Sequence, residues 1–276
     1  MADFLFSNCC LSEGKGQPAA RYVGHPEVMV RNEFEGRLAI ITGASSGIGL
    51  AVCTALLQRG ARVLVMSRSQ GGLAPLLETY AEQLFWLAGD VTQRADLQAL
   101  RARAAQLGQV DYLIPNAGVA ELADGLDVAA FDRQWAVNGA GALNTLGALR
   151  HELAKSASVV FIGTFLTRST YPGLAAYIAS KAALAAQVRT LAVELAPLGI
   201  RINTVSPGPT ATAIWGSLGL SDEQFEGVAD SIAQRLLPGH FLESAAVADV
   251  VLFQLSQGSR GVYGQDWVVD NGFTLS

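Results

Sequence analysis

From Arg37 onward the chain alternates short, β-branched apolar runs with longer stretches rich in Ala and Leu. The runs predict strands at Arg37–Thr42, Arg62–Met66, Leu84–Ala88, Asp111–Pro115, Ser158–Ile162, Arg201–Val205 and Asp266–Val269. Several are apolar at nearly every position, as a strand must be when helices cover both of its faces. Helical spacing runs over Gly47–Arg59, Gln93–Leu107, Phe131–Leu153, Tyr177–Leu195 and Ser244–Ser256. This alternation predicts an α/β fold: a single doubly wound domain over residues 36–276, mainly a seven-stranded parallel sheet with helices on both faces.

Two segments break the rhythm. Residues 1–35 have little periodicity and read as a loosely ordered extension. The stretch 209–238 carries Trp215, Leu218, Leu220 and Phe225 between a strand and a helix. It reads as a lid beyond the carboxyl edge of the sheet, with an ordinary packed helix pair as the alternative.

Composition narrows the class. With 276 residues, 50% hydrophobic and only 16% charged, the chain is long and apolar enough for a large core. A net charge of -5 offers no basic face for nucleic acid or an anionic membrane. The longest apolar stretches are interrupted by Arg189 and Glu194, so none predicts a membrane span. Cys9, Cys10 and Cys53 form no disulfide framework, and His25, His151 and His240 have no metal-ligand spacing. The amino terminus lacks the features of a secretory signal. The expectation is a soluble cytoplasmic enzyme without a metal.

Chemistry enters at Thr42-Gly43-Ala44-Ser45-Ser46-Gly47-Ile48-Gly49, between the first strand and the first helix. Gly43 permits a tight turn, Gly47 a close approach of backbone to a pyrophosphate, and Gly49 tight helix–strand packing. The helix-start amides and dipole then favour phosphate, which predicts a Rossmann-type dinucleotide site. An acid ending the second strand would bind the adenosine ribose and repel a 2′-phosphate. Here the strand ends in Ser67-Arg68, a hydrogen-bond donor followed by a phosphate-pairing cation. NADP(H) is favoured, with NAD(H) open should Arg68 only stack on adenine or lie in solvent.

Tyr177 and Lys181 lie four apart on a helix, hence on one face. A free tyrosine titrates near 10, and a neighbouring ammonium would bring it toward a useful range. The same ammonium would reach the nicotinamide ribose.

Five motifs in order and spacing make the chain resemble the short-chain dehydrogenase/reductase family from Arg37 to the carboxyl terminus. They are the glycine turn, Asp90-Val91, Asn116-Ala117-Gly118, Tyr177-x-x-x-Lys181, and Pro207-Gly208 with Thr212. The resemblance implies that Asp90 and Val91 contact adenine, and that Asn116, Ala117 and Gly118 line the cofactor and brace the fourth strand. It implies that Asn138 holds a helix distortion and a relay water behind Lys181. Pro207, Gly208 and Thr212 would fix the nicotinamide carboxamide. A homo-oligomer, dimer or tetramer, is implied in the same way. The family's substrate-binding serine, thirteen positions before the tyrosine, is Thr164 here. A threonine keeps the hydroxyl but adds a methyl and a stiffer χ1.

The function implied is interconversion of a ketone or aldehyde with an alcohol, with Tyr177 carrying the proton. Phe165, Leu166, Trp215 and Leu218 suggest a small, mainly apolar substrate. The alternative is a cofactor-binding sensor or structural subunit without dehydrogenase activity.

Overall fold

A computed structural model describes residues 33–276. The extension expected over residues 1–35 therefore lies almost wholly outside the described residues. Its last part does not: Phe34 is buried against the ring of Tyr112, with centroids 5.2 Å apart.

Seven parallel strands form one sheet in the order β3-β2-β1-β4-β5-β6-β7. They are β1 (Leu38–Thr42), β2 (Arg62–Ser67), β3 (Leu84–Ala88), β4 (Val110–Pro115), β5 (Leu153–Ile162), β6 (Arg201–Pro207) and β7 (Asp266–Val269). Helices α1 (Gly47–Gln58) and α8 (Ser244–Leu255) pack on one face. Helices α3 (Arg94–Leu107), α5 (Ala142–Leu149) and α6 (Ala175–Leu195) pack on the other. The alternation of side chains along β1 assigns its residues to these two cores. Ala39 and Ile41 face α1 and α8, whereas Leu38 and Ile40 face the opposite layer. The apolar runs are two-sided for this reason.

The sequence-predicted strands are all present, with bounds within one residue of expectation except in two, which are longer. β6 continues to Pro207, and β5 starts at Leu153 with a register shift against β4 between Val110 and Tyr112. The helix expected over Phe131–Leu153 is in fact three pieces: α4 (Val128–Trp135), a π-helical turn (Ala136–Gly141) and α5. Gly139 explains part of the break. A Cβ there would lie 1.9 Å from the Trp135 ring, so the indole occupies the space a side chain would need. Two helices had no strong sequence signal. These are α2 (Ala74–Thr79), which is short and has no buried residue, and α7 (Asp222–Ala233). Stretch 209–238 holds a 3₁₀ turn (Ala213–Leu218) and then α7, capped by Ser221 and Gln224 reciprocally, rather than a pair of α-helices.

β6 opens with a buried cation. Arg201 donates to the carbonyls of Leu255, Ser256 and Ser259, and to the Ser259 hydroxyl, at 3.0–3.1 Å. It thereby satisfies the exposed carbonyl end of α8, where the helix dipole also favours positive charge. Replacing Arg201 with Met should lower unfolding free energy by about 2–3 kcal/mol, since charged hydrogen bonds are lost and buried carbonyls left unpaired. Urea unfolding of the two proteins measures this; equal midpoints and slopes would show that α8 does not need the cation.

Candidate active site

The order of the sheet reverses between β1 and β4, and a crevice opens there at the carboxyl ends of the strands. Thr42 and Asn116, the two ends of that crevice, are cross-linked. The Thr42 hydroxyl accepts from the amides of Asn116 and Ala117 at 3.2 Å. Asn116 Nδ2 in turn donates to the carbonyls of Thr42 and Gly43 at 3.0 and 2.9 Å. This closure brings the glycine turn onto Ala117: a Cβ on Gly43 (φ +71°) would lie 2.7 Å from the Ala117 Cα.

Ser46 stands at the N-cap of α1 in extended conformation and makes no side-chain cap bond. The first-turn amides therefore lack a capping side chain where Ser45, Ser46, Gly47, Ile48 and Gly49 line the cleft. Backbone amides and dipole together suit an anion, so this cradle fits a dinucleotide pyrophosphate. At the end of β2, Arg68 is exposed, lines the cleft and forms no ion pair among the described residues. Ser67 differs from expectation. Its hydroxyl donates to Ser69 O at 2.8 Å and accepts from Trp86 Nε1 at 3.0 Å, so its hydrogen is already committed. Asp90 is half-committed: Oδ1 accepts from the Thr92 amide and hydroxyl, both at 2.8 Å. Val91 is buried beside it.

At the other end of the cleft, β5 delivers Thr164 and α6 delivers Tyr177 and Lys181. Thr164 is buried; its Oγ1 accepts from the Leu166 amide at 3.3 Å, which fixes the rotamer. Burial raises the Tyr177 phenol above its ordinary value, and the neighbouring Thr164 side chain acts in the opposite direction. Lys181 is buried, its ammonium donates to Ile162 O at 2.8 Å, and burial lowers it to about 8. The ammonium is thus turned to the end of β5, and burial is the largest influence on the phenol.

Asn138 sits within the π-helical turn, at the helix distortion the sequence reading gave it. Its side chain is turned to the chain: Oδ1 accepts from Val119 N at 2.8 Å, and Nδ2 donates to Val119 O at 2.9 Å and Ser180 Oγ at 3.0 Å. Ser180 passes the connection on, donating to Tyr177 O at 2.7 Å. Neither Ser180 nor Thr42 was singled out by sequence, since isolated hydroxyls carry no pattern.

Pro207 and Gly208 close the cleft from β6. A Cβ on Gly208 would lie 2.5 Å from the Asp270 Cα, so only glycine lets the turn pass the end of β7. Thr212 reaches over the glycine turn, its Cγ2 3.1 Å from where a Gly47 Cβ would be. The cleft, about 440 Å³, continues between Ala120, Phe165, Leu166, Leu174, Trp215 and Leu218. Among the described residues, its only lining cations are Arg68 and Lys181. No group of His, Cys, Asp or Glu there or elsewhere among the described residues could hold a metal ion. No described helix is long and apolar enough to cross a membrane.

A parallel sheet with this crevice and cradle defines a Rossmann-type dinucleotide-binding α/β protein. The chain belongs to the short-chain dehydrogenase/reductase family: residues 43–274 match a family model described as enoyl-(acyl carrier protein) reductase. It is 34% identical over 249 residues to cis-4-hydroxycyclohexanecarboxylate dehydrogenase of Sinomonas cyclohexanicum, covering 87% of this chain and 98% of that protein. It is 32% identical over 252 residues to carbonyl reductase (NADPH) 2 of Sus scrofa, covering 88% and 98%. A short-chain dehydrogenase/reductase (glucose/ribitol dehydrogenase) structure from Brucella melitensis superposes with a TM-score of 0.80. Its identity is 25%, covering 88% of this chain and 98% of that one. The protein is thus an oxidoreductase acting on alcohol or carbonyl groups of a small molecule with NAD(P).

Buried Lys181 also makes stability pH-dependent. Its folded pKa, about 8, lies below the unfolded value of 10.5, so between these pH values the unfolded chain binds the extra proton. Wild-type unfolding free energy should therefore rise from pH 8 to 10 relative to Lys181→Met. The Tyr177 phenol, at 10.0 when unfolded, ionises only toward the top of that window and is present in both proteins. Denaturant titrations at each pH check this, and a falling difference would contradict the burial of a neutral amine.

Proposed function

We propose that the protein is an NADP(H)-dependent carbonyl reductase and alcohol dehydrogenase whose proton carrier is Tyr177. One observation carries the reading: Thr164, Tyr177 and Lys181 line the same cleft as the glycine turn, with Lys181 one helical turn beyond Tyr177. When bound, the nicotinamide supplies or accepts hydride at the substrate carbon. The two hydroxyls hold the substrate oxygen, Thr164 as oriented donor and Tyr177 as donor and acid. A phenol raised by burial keeps its proton at neutral pH, which suits protonation of the oxygen during reduction. Lys181, near 8, is mostly protonated at pH 7 and is the reserve of positive charge next to it.

Arg68 is the basis for preferring NADP(H): it is an uncommitted guanidinium where an acid would otherwise exclude the 2′-phosphate. Asp90 keeps Oδ2 free for the adenine amine, and Val91 packs beneath it. Asn116, Ala117 and Gly118 would wall the adenosine half, while Pro207, Gly208 and Thr212 would flank the carboxamide. The substrate half of the cleft supports an uncharged, mainly apolar carbonyl compound, because its walls are aromatic and aliphatic and its cations lie elsewhere. The alicyclic ring in the name of the Sinomonas relative suits these walls, whereas the carboxylate in that name would meet no cation in this half of the cleft. Residues 209–238 serve as the lid. A homo-oligomer, dimer or tetramer, is in keeping with exposed Leu126, Val128 and Val193 on and beside α4 and α6.

Tyr177→Phe should lower turnover of a neutral ketone about 10²–10⁴-fold with NADPH affinity nearly unchanged. Thr164→Val, which keeps shape and loses the donor, should lower kcat about 10²–10³-fold, whereas Thr164→Ser should retain it. NADPH absorbance across a carbonyl and alcohol panel measures both, and full turnover by the Phe variant would remove Tyr177 from the mechanism. Arg68→Asp should weaken NADPH about ten- to hundredfold, the loss of one charge-assisted bond, and NADH much less. Fluorescence titration with the two nucleotides decides; equal losses would separate Arg68 from the 2′-phosphate.

A further inference from the structure

Val119 and Glu121, two residues apart in the loop after β4, are each gripped by one side-chain amide from the same helical stretch. Asn138 takes both backbone groups of Val119. Gln134 does the same for Glu121, accepting from its N–H at 3.1 Å and donating to its carbonyl at 3.3 Å. Residues 134 and 138 are about one helical turn apart, a rise of about 6 Å. Two residues of extended chain advance about 6.6–6.8 Å. The two spacings match, so the loop lies along the helix as a strand lies along its neighbour.

Extended backbone turns the polar groups of alternate residues to opposite sides. With Val119 and Glu121 facing the helix, Ala120 faces away. Its carbonyl lies 3.0 Å from Ser217 Oγ, in the 3₁₀ turn of the lid, and shares the single hydrogen of that hydroxyl with Ile214 O at 2.7 Å. Gln134 is fully buried, and among the described residues its amide hydrogen-bonds only Glu121. Asn138 also reaches Ser180 and through it Tyr177, so it is joined to the proton carrier. The side-chain bonds of Gln134 end at the loop.

We propose that Gln134 is a positioning residue for substrate capture: it fixes the Ala120 carbonyl on which the lid docks through Ser217. This rests on reading residues 209–238 as the lid of the oxidoreductase site. It predicts that Gln134 affects substrate binding and lid order while leaving proton transfer alone.

Gln134→Met conserves volume and removes both bonds; Ser217→Ala removes the lid donor at an exposed position. In the NADPH-loaded protein, each should speed hydrogen exchange of amides 213–218 by about three- to tenfold, the loss expected for one neutral hydrogen bond. With cyclohexanone as the probe, KM should rise by a similar factor. The kcat, its pH profile and NADPH affinity should stay within about twofold, and the double variant should be no worse than Gln134→Met, because both act through one contact. Additive effects, unchanged lid exchange in Gln134→Met, or a fall in kcat at constant KM would overturn the proposal. Should Gln134→Met fail to fold, Gln134→Glu, which keeps the acceptor and loses the donor, is read in the same way. The exchange measurement needs no turnover, so it decides the role of Gln134 even where cyclohexanone is no substrate.

Discussion

The exchange of hydrogen bonds between Thr42 and Asn116 is the contact on which the cleft depends. β1 and β4 are distant in sequence but adjacent in the sheet, and the chain leaves them in opposite directions. Backbone amides and carbonyls at the ends of both strands would be left without ladder partners as they part. Thr42 Oγ1 satisfies two amides and Asn116 Nδ2 two carbonyls, so the strands stay closed while the loops diverge. The glycine turn is then pressed against Ala117, at a distance only a missing Cβ allows. Everything that follows, from the start of α1 to the loop before α4, takes its position from that closure.

A second consequence is that most polar side chains in the cleft hold the cleft itself. Asn116, Asn138 and Ser67 direct their donors to the chain, and one oxygen of Asp90 caps its own turn. The groups left for a ligand are few: the first-turn amides of α1, the Arg68 guanidinium, and the hydroxyls of Thr164 and Tyr177. They lie at opposite ends, the anion-binding set under α1 and Arg68, the hydroxyl pair toward the 3₁₀ turn Ala213–Leu218. That separation fits a long dinucleotide laid across the sheet edge with its reacting end beside Tyr177.

The π-helical turn connects the two ends. By inserting an extra residue into the helical repeat, it turns Asn138 toward Val119 and Ser180 at once. One helical turn earlier, Gln134 repeats the grip on Glu121. The wall between the glycine turn and the 3₁₀ turn Ala213–Leu218 is thus held from behind by two amides, and its free side carries the Ala120 carbonyl.

The sequence by itself determined the sheet, since an apolar strand buried on both faces is legible without any partner in view. The seven strands, α1, α3, α6 and α8 followed from period alone, and glycine spacing with Tyr177 and Lys181 named the class. It missed α2, which buries nothing, and it ran α4 and α5 together because a π-turn conserves helical composition. Partnership was decided only by the tertiary structure. That Trp86 and Ser69 hold the Ser67 hydroxyl, and that the Lys181 ammonium points to Ile162 O, could be read only from the folded chain. Gln134 shows the same: as one polar residue in a helix it carries no signal. Its meaning depends on a loop thirteen residues earlier, brought beside it by the β4 crossover. Periodicity records which side of an element faces the core, but a hydrogen bond depends on two groups meeting at about 3 Å, and only the packed chain fixes that.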